Sequence, residues 1–219
     1  GDITNDVGKL FQWGRKSGAK ASNVKDDLST KNPIVENNGL PNMTEWDDKY
    51  IVPSTNPESR GCWFFFVEGQ DNKDKEIPQW YNKLWNANEG IDGAVVVKTE
   101  YDPCPDGWRV PTLDEWRAIG VDQDAADIGM SWDEVNIRIS IPGKENGKNL
   151  LLPVAARYVT GDLNVNNMFY WSSTPDVNTN SGKITISRIA VYTYLPDKSG
   201  LIKYPTASSH ATPVRCIHE

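Results

Sequence analysis

Cys62, Cys104, Cys216, His210 and His218 are the residues of this chain best suited to nucleophilic, redox or metal chemistry, and they are few. Three cysteines allow one disulfide in any of three pairings, or none, with three buried thiols. No Cys-x-x-Cys or His-x-x-x-His spacing occurs, so the paired ligands of a structural zinc site are missing. Oxygen donors are more plentiful. Asp122-Gln123-Asp124 with Asp127, and Asp71 with Asp74, offer some of the roughly six to eight ligands that calcium takes, although such clusters are commonly solvated loop charges. Glycoside hydrolysis needs two carboxylates flanking one bond, and nothing singles out such a pair. There is no Gly-x-Ser-x-Gly, His-Glu-x-x-His, Walker loop or Gly-x-Gly-x-x-Gly. The Gly143–Lys148 stretch ends in Gly-Lys but lacks the phosphate-loop spacing and the following Ser or Thr.

Composition narrows the classes further. The 219 residues carry 23 Lys+Arg against 30 Asp+Glu, a net charge of −7, with no basic block, which argues against a nucleic-acid partner. Hydrophobic residues are only 38%, yet Trp occurs nine times, and a disordered acidic chain would be poor in aromatics. Fourteen Pro and seventeen Gly call for many turns and little long helix. The longest apolar runs, Cys62–Val67 and Ala94–Val97, fall far short of the about 20 residues a membrane-spanning helix needs.

Few elements are available to position these groups. Ser17–Asn42 reads as a long polar surface loop, and Cys62–Val67 as an apolar strand. From Pro78 the spacing allows a short helix pairing Trp80 with Leu84 and Tyr81 with Trp85; an extended loop whose aromatics fill the core is the alternative. Residues 93–98 read as a strand. Thr112-Leu113-Asp114-Glu115 matches a capping box, with Pro111 and Trp116 at the staple positions and Gly120 as a stop, which predicts a helix after Thr112. Ile137, Ile139 and Ile141 alternate with polar residues as in a half-buried strand. Leu150–Ala155, Met168–Ser172, Lys183–Leu195 and Pro213–Ile217 are further strand candidates. Apolar parity changes within Lys183–Leu195, which calls for a bulge near Arg188 or burial of both faces. No repeat or low-complexity linker divides the chain, so residues 1–219 are expected to form one α+β domain.

The stretch Tyr101-Asp102-Pro103-Cys104-Pro105-Asp106-Gly107-Trp108-Arg109-Val110-Pro111-Thr112, with Glu115-Trp116, resembles the signature of the Fibrobacter succinogenes major paralogous domain. Phe11-Gln12-Trp13-Gly14-Arg15-Lys16, Tyr170-Trp171-Ser172-Ser173-Thr174 and Pro213-Val214-Arg215-Cys216 agree with it in order, and the four segments bracket nearly the whole chain. The resemblance implies a fold similar to the C-type lectin-like fold, with short helices, antiparallel strands and long loops. It also implies secreted or outer-membrane surface proteins, notably of Bacteroidetes, among them fimbria-associated ones. Family members usually carry a strand ahead of the Gln-Trp-Gly-Arg motif, and the few residues before it lead us to expect a missing N-terminal strand or upstream domain.

The resemblance also implies a Cys104–Cys216 disulfide, and hence an oxidising compartment, leaving Cys62 unpaired. Trp13, Trp108, Trp116 and Trp171 fall inside its motifs and are expected to be scaffold. The related formylglycine-generating enzymes use neighbouring cysteines late in the chain, which Cys216 lacks, so enzyme function is not expected. The calcium-binding turns of sugar-binding lectins are absent too, with Thr174-Pro175-Asp176 a distant echo, and no resident cofactor or metal is expected beyond the calcium option above. The leading expectation is a cell-surface adhesion or recognition domain, fimbrial-tip or envelope-associated, that binds glycan or protein through its loops. Trp46, Trp80, Tyr81 and Trp85 are its candidate ligand platforms, since an exposed ring stacks on the apolar face of a sugar. The alternatives are a structural fimbria or envelope subunit without a small ligand, and an enzyme on a formylglycine-generating-enzyme-like fold.

Overall fold

A computed structural model describes residues 9–14, 16, 18–20, 35–36, 40–41, 83–88, 94–143, 147–153, 157–159, 162–164, 167–178, 183–194, 200–207 and 210–219. Within them the chain is α+β, with antiparallel strands around one short helix. The first strand, β1 (Lys9–Gln12), lies between β2 (Ala19–Lys20) and β15 (Ala211–Thr212), and β15 in turn pairs with β10 (Arg157–Val159) and through it β11 (Asp162–Asn164). Phe11 faces Thr212 and Gln12 faces Ala211, so the sheet joins segments from opposite ends of the chain. A small pair, β3 (Val35–Glu36) and β4 (Leu40–Pro41), puts strand where the polar composition of Ser17–Asn42 reads as loop throughout.

The helix α1 (Leu113–Ala118) forms where the capping box predicts it. The Thr112 hydroxyl accepts from the Glu115 N–H at 3.3 Å, and a Glu115 carboxylate oxygen accepts from the Thr112 N–H at 2.9 Å. Leu113 and Trp116 form its buried face. It stops at Gly120, whose φ of +117° is left-handed and where a Cβ would meet the Ile128 side chain at 2.5 Å.

That buried face packs on two sheets. One is β7 (Ser131–Asp133), β8 (Arg138–Ile141) and β9 (Leu150–Pro153), contributing Ile139, Ile141 and Leu152. The other is β12 (Asn167–Asn178), β13 (Lys183–Tyr194), β14 (Gly200–Ala207) and β6 (Gln123–Asp124), contributing Met168, Tyr170 and Leu201. The β12–β13 register shifts on either side of the Pro175↔Arg188 pair, which is where the change in apolar parity calls for an irregularity. Proline has no N–H for the ladder, which suits a break at that point.

Three sequence expectations are corrected. Ile137 adopts φ +50° in a turn before β8, so only Ile139 and Ile141 of the alternating set lie in the strand. Residues 94–97 run outside any strand with Val95 80% exposed; among the described residues the β-pairing there is the single bridge between Lys98 and Asn86. The turn at residues 86–88 meets this run mainly through side chains, with Val97 N–H on Asn86 Oδ1 and Asn88 Nδ2 on the Val95 carbonyl, so no extended ladder forms with it. Pro213–Cys216 is likewise irregular, and the terminal strand is the short β16 (Ile217–His218), paired with β5 (Trp108–Arg109). No helix among the described residues is long and apolar enough to cross a membrane.

Candidate functional site

The four motif segments converge, and tryptophan indoles hold them together. The Trp13 indole N–H donates to the Ser172 carbonyl at 2.9 Å, and the Trp171 indole donates back to the Phe11 carbonyl. The Trp116 indole donates to the Trp171 carbonyl at 3.3 Å. Backbone bonds complete the junction, from the Trp171 N–H to the Pro213 carbonyl at 3.0 Å and from the Ser173 N–H to the Pro111 carbonyl at 2.9 Å. All three indoles are buried, so each N–H must find an acceptor inside the protein. Cys104 and Cys216 are disulfide-bonded across a sequence separation of 112, with Cα atoms 5.8 Å apart. That pairing is the one the resemblance implies.

The segment ahead of α1 is shaped by two charged side chains. Asp102 is 1% exposed; its Oδ1 accepts from the Cys104 N–H at 2.8 Å and its Oδ2 from the Val110 N–H at 2.9 Å. Burial raises its pKa above the ordinary carboxylate value, against the lowering effect of these bonds and of Lys98. The Lys98 ammonium donates to Asp102 Oδ1 at 3.3 Å and to the carbonyls of Cys104, Pro105 and Trp108. The turn is thus wrapped around one cation. Beyond it, Arg109 grips Glu115 with both terminal guanidinium nitrogens, at 2.7 and 2.5 Å. Burial pushes the Glu115 pKa up, but the bonds from Arg109 and Thr112 outweigh it and hold the carboxyl below its usual value.

Between α1 and the terminal residues lies a groove of about 380 Å³. Its floor is apolar, made by Pro111, Trp116, Ile119, Leu150 and Ile217 beside Cys216. Trp108, Glu115, Arg215 and His218 complete the lining. Trp108 is 42% exposed, and its ring meets that of its cross-strand partner His218 edge to face, with centroids 5.1 Å apart. Of the two charged lining residues, Glu115 is neutralised by Arg109, whereas exposed Arg215 has no ion pair among the described residues. Its charge reaches Tyr170, whose hydroxyl donates to the Pro153 carbonyl at 2.7 Å and whose pKa burial drives up. A second groove of about 530 Å³ adjoins the first across Ile119 and Leu150, with Gln123 and Asp127 on its wall.

Of the four candidate platforms, Trp85 alone is among the described residues. Trp46, Trp80 and Tyr81 lie outside the described residues, as do Cys62, Asp71 and Asp74. Trp85 is 1% exposed, packed 5.2 Å from the Trp13 ring, with its indole N–H on the Tyr101 carbonyl at 3.1 Å; its ring is core and cannot stack on a ligand. It stands in a turn, since residues 83–88 are not helical. Conversely, Trp13, Trp116 and Trp171 are buried scaffold as expected, but Trp108 is not. No local signal marked its exposure, since Trp108 sits in a strand whose partner lies at the far end of the chain. In the acidic cluster, Asp122 accepts from the Lys203 N–H and from Arg117, and Asp124 accepts from the Ala126 N–H. Among the described residues no three His, Cys, Asp or Glu side chains group as metal ligands.

Comparison of the chain with protein-family models, with curated proteins and with solved structures returns no match.

Proposed function

We propose that this chain is a recognition domain of a bacterial cell surface, on a C-type lectin-like scaffold, that binds glycan or protein partners and performs no reaction. The observation that carries this reading is the Trp108 groove, where an exposed indole borders an apolar hollow next to Arg215, a guanidinium with no ion pair among the described residues. Large exposed aromatics beside a concave apolar patch are the usual mark of a binding surface. The meeting of the four motif segments supports the family resemblance, and with it the scaffold and the link to fimbria-associated surface proteins. The Cys104–Cys216 bond fits an oxidising compartment outside the cytoplasm.

The test is a glycan array and a pull-down from envelope extract, run with the wild type and with Trp108→Ala. Specific binding that the substitution removes, with an unchanged melting temperature, supports the reading. Binding of nothing, or binding indifferent to Trp108, counts against it. Capture of other copies or of envelope subunits through a different face favours the structural-subunit alternative.

A further inference from the structure

We infer that the Trp108 groove receives a peptide segment of a partner protein, one that sets an apolar side chain on the groove floor and a neighbouring carboxylate on Arg215. The inference rests on the recognition reading above and narrows glycan-or-protein to protein.

The floor decides between the two classes. Pro111, Ile119, Leu150 and Ile217 present apolar atoms, and a sugar ring pressed onto them would bury hydroxyls without partners. An aliphatic or aromatic side chain leaves no such debt. A volume of about 380 Å³ sits at the low end of the range for ligand sites, enough for one or two side chains of an extended segment. Charge fixes the second feature. Both Glu115 oxygens are held by Arg109, and the Glu219 charge also bears on Arg109, so among the described residues Arg215 is the lining charge left to meet an anion. A guanidinium fork matches a carboxylate with two parallel hydrogen bonds. Trp and Arg are also the residue types that most often dominate protein-binding energy.

The experiment pans a random heptapeptide display library on the folded, oxidised chain, with counter-selection on Trp108→Ala, alongside an array of neutral and acidic glycans. The enriched peptides are expected to place Asp or Glu within two positions of an aromatic or aliphatic residue. Their affinity should fall about tenfold or more on Arg215→Gln, and equally when the peptide acid is changed to its amide. Both substituted side chains are surface-exposed, and a matching melting temperature separates lost binding from lost fold. Enriched peptides without an acid, or indifferent to Arg215→Gln, overturn the inference. Trp108-dependent glycan binding with no peptide enriched overturns it while leaving the recognition reading intact. Silence in both arms removes both.

Discussion

Trp13 and Trp171 bond to one another's chain segments in both directions: the Trp13 indole reaches the carbonyl next to Trp171, and the Trp171 indole reaches the carbonyl of Phe11, two residues before Trp13. Their sequence separations of 159 and 160 make these among the longest-range side-chain bonds described. Replacing either ring by Phe removes one buried bond and is expected to cost about 1–3 kcal/mol. Because the two bonds secure the same pair of segments, the double variant should lose less than the sum of the singles. Urea denaturation of the three variants measures this; strict additivity would show that the bonds act independently.

The disulfide closes a loop of 112 residues' separation, which in the chain-entropy model contributes up to about 4–5 kcal/mol. Reduction, or the Cys104→Ser/Cys216→Ser variant, should lower the denaturation midpoint strongly. A non-reducing tryptic digest should yield the linked Cys104–Cys216 peptides. Absence of that pair, or insensitivity to reductant, would refute the bridge.

Glu115 and Asp102 give opposite pH responses. The Glu115 pKa is lower folded than unfolded, so its contribution is present above the ordinary glutamate pKa and is lost as pH falls through the depressed value. The Asp102 pKa is raised, so its contribution is largest at low pH and declines as pH rises from the ordinary aspartate pKa to the raised one. Glu115→Gln should therefore cost about 1 kcal/mol at neutral pH and flatten the acid limb of the stability profile. A profile unchanged by the substitution would contradict the assigned pairing.

Ser173 has a fully buried hydroxyl with no hydrogen-bond partner among the described residues. An unmet buried hydroxyl is a cost, so Ser173→Ala is expected to be neutral or to stabilise by about 1 kcal/mol. Thermal melting decides it, and a clear loss of stability would mean that the hydroxyl has a partner.

The sequence made legible what local bonding or motif identity settles. The capping box needs only Thr112, Glu115 and their own backbone, so the helix could be placed to the residue. The parity change in Lys183–Leu195 signalled the register break opposite Pro175. Ring exposure was not legible, because it depends on segments distant in sequence. Trp85 is core because Trp13 and the Tyr101 carbonyl come to meet it, and Trp108 stays exposed on a strand that, among the described residues, pairs with the short β16 alone. Among the described aromatics, Trp85 therefore drops out as a platform and Trp108 enters. Val95 and Val97 failed as a strand for the same kind of reason, since their backbone groups are met by the turn at Asn86, Ala87 and Asn88.

The central claim is that the Trp108 groove is the recognition surface, and the indole N–H signals of a proton–nitrogen correlation spectrum test it directly. On titration with the captured partner or selected peptide, the Trp108 signal should shift in step with occupancy. Those of Trp13 and Trp171, held on backbone carbonyls outside the groove lining, should stay in place. Saturable binding that leaves the Trp108 signal unmoved would place the recognition surface elsewhere and contradict the account.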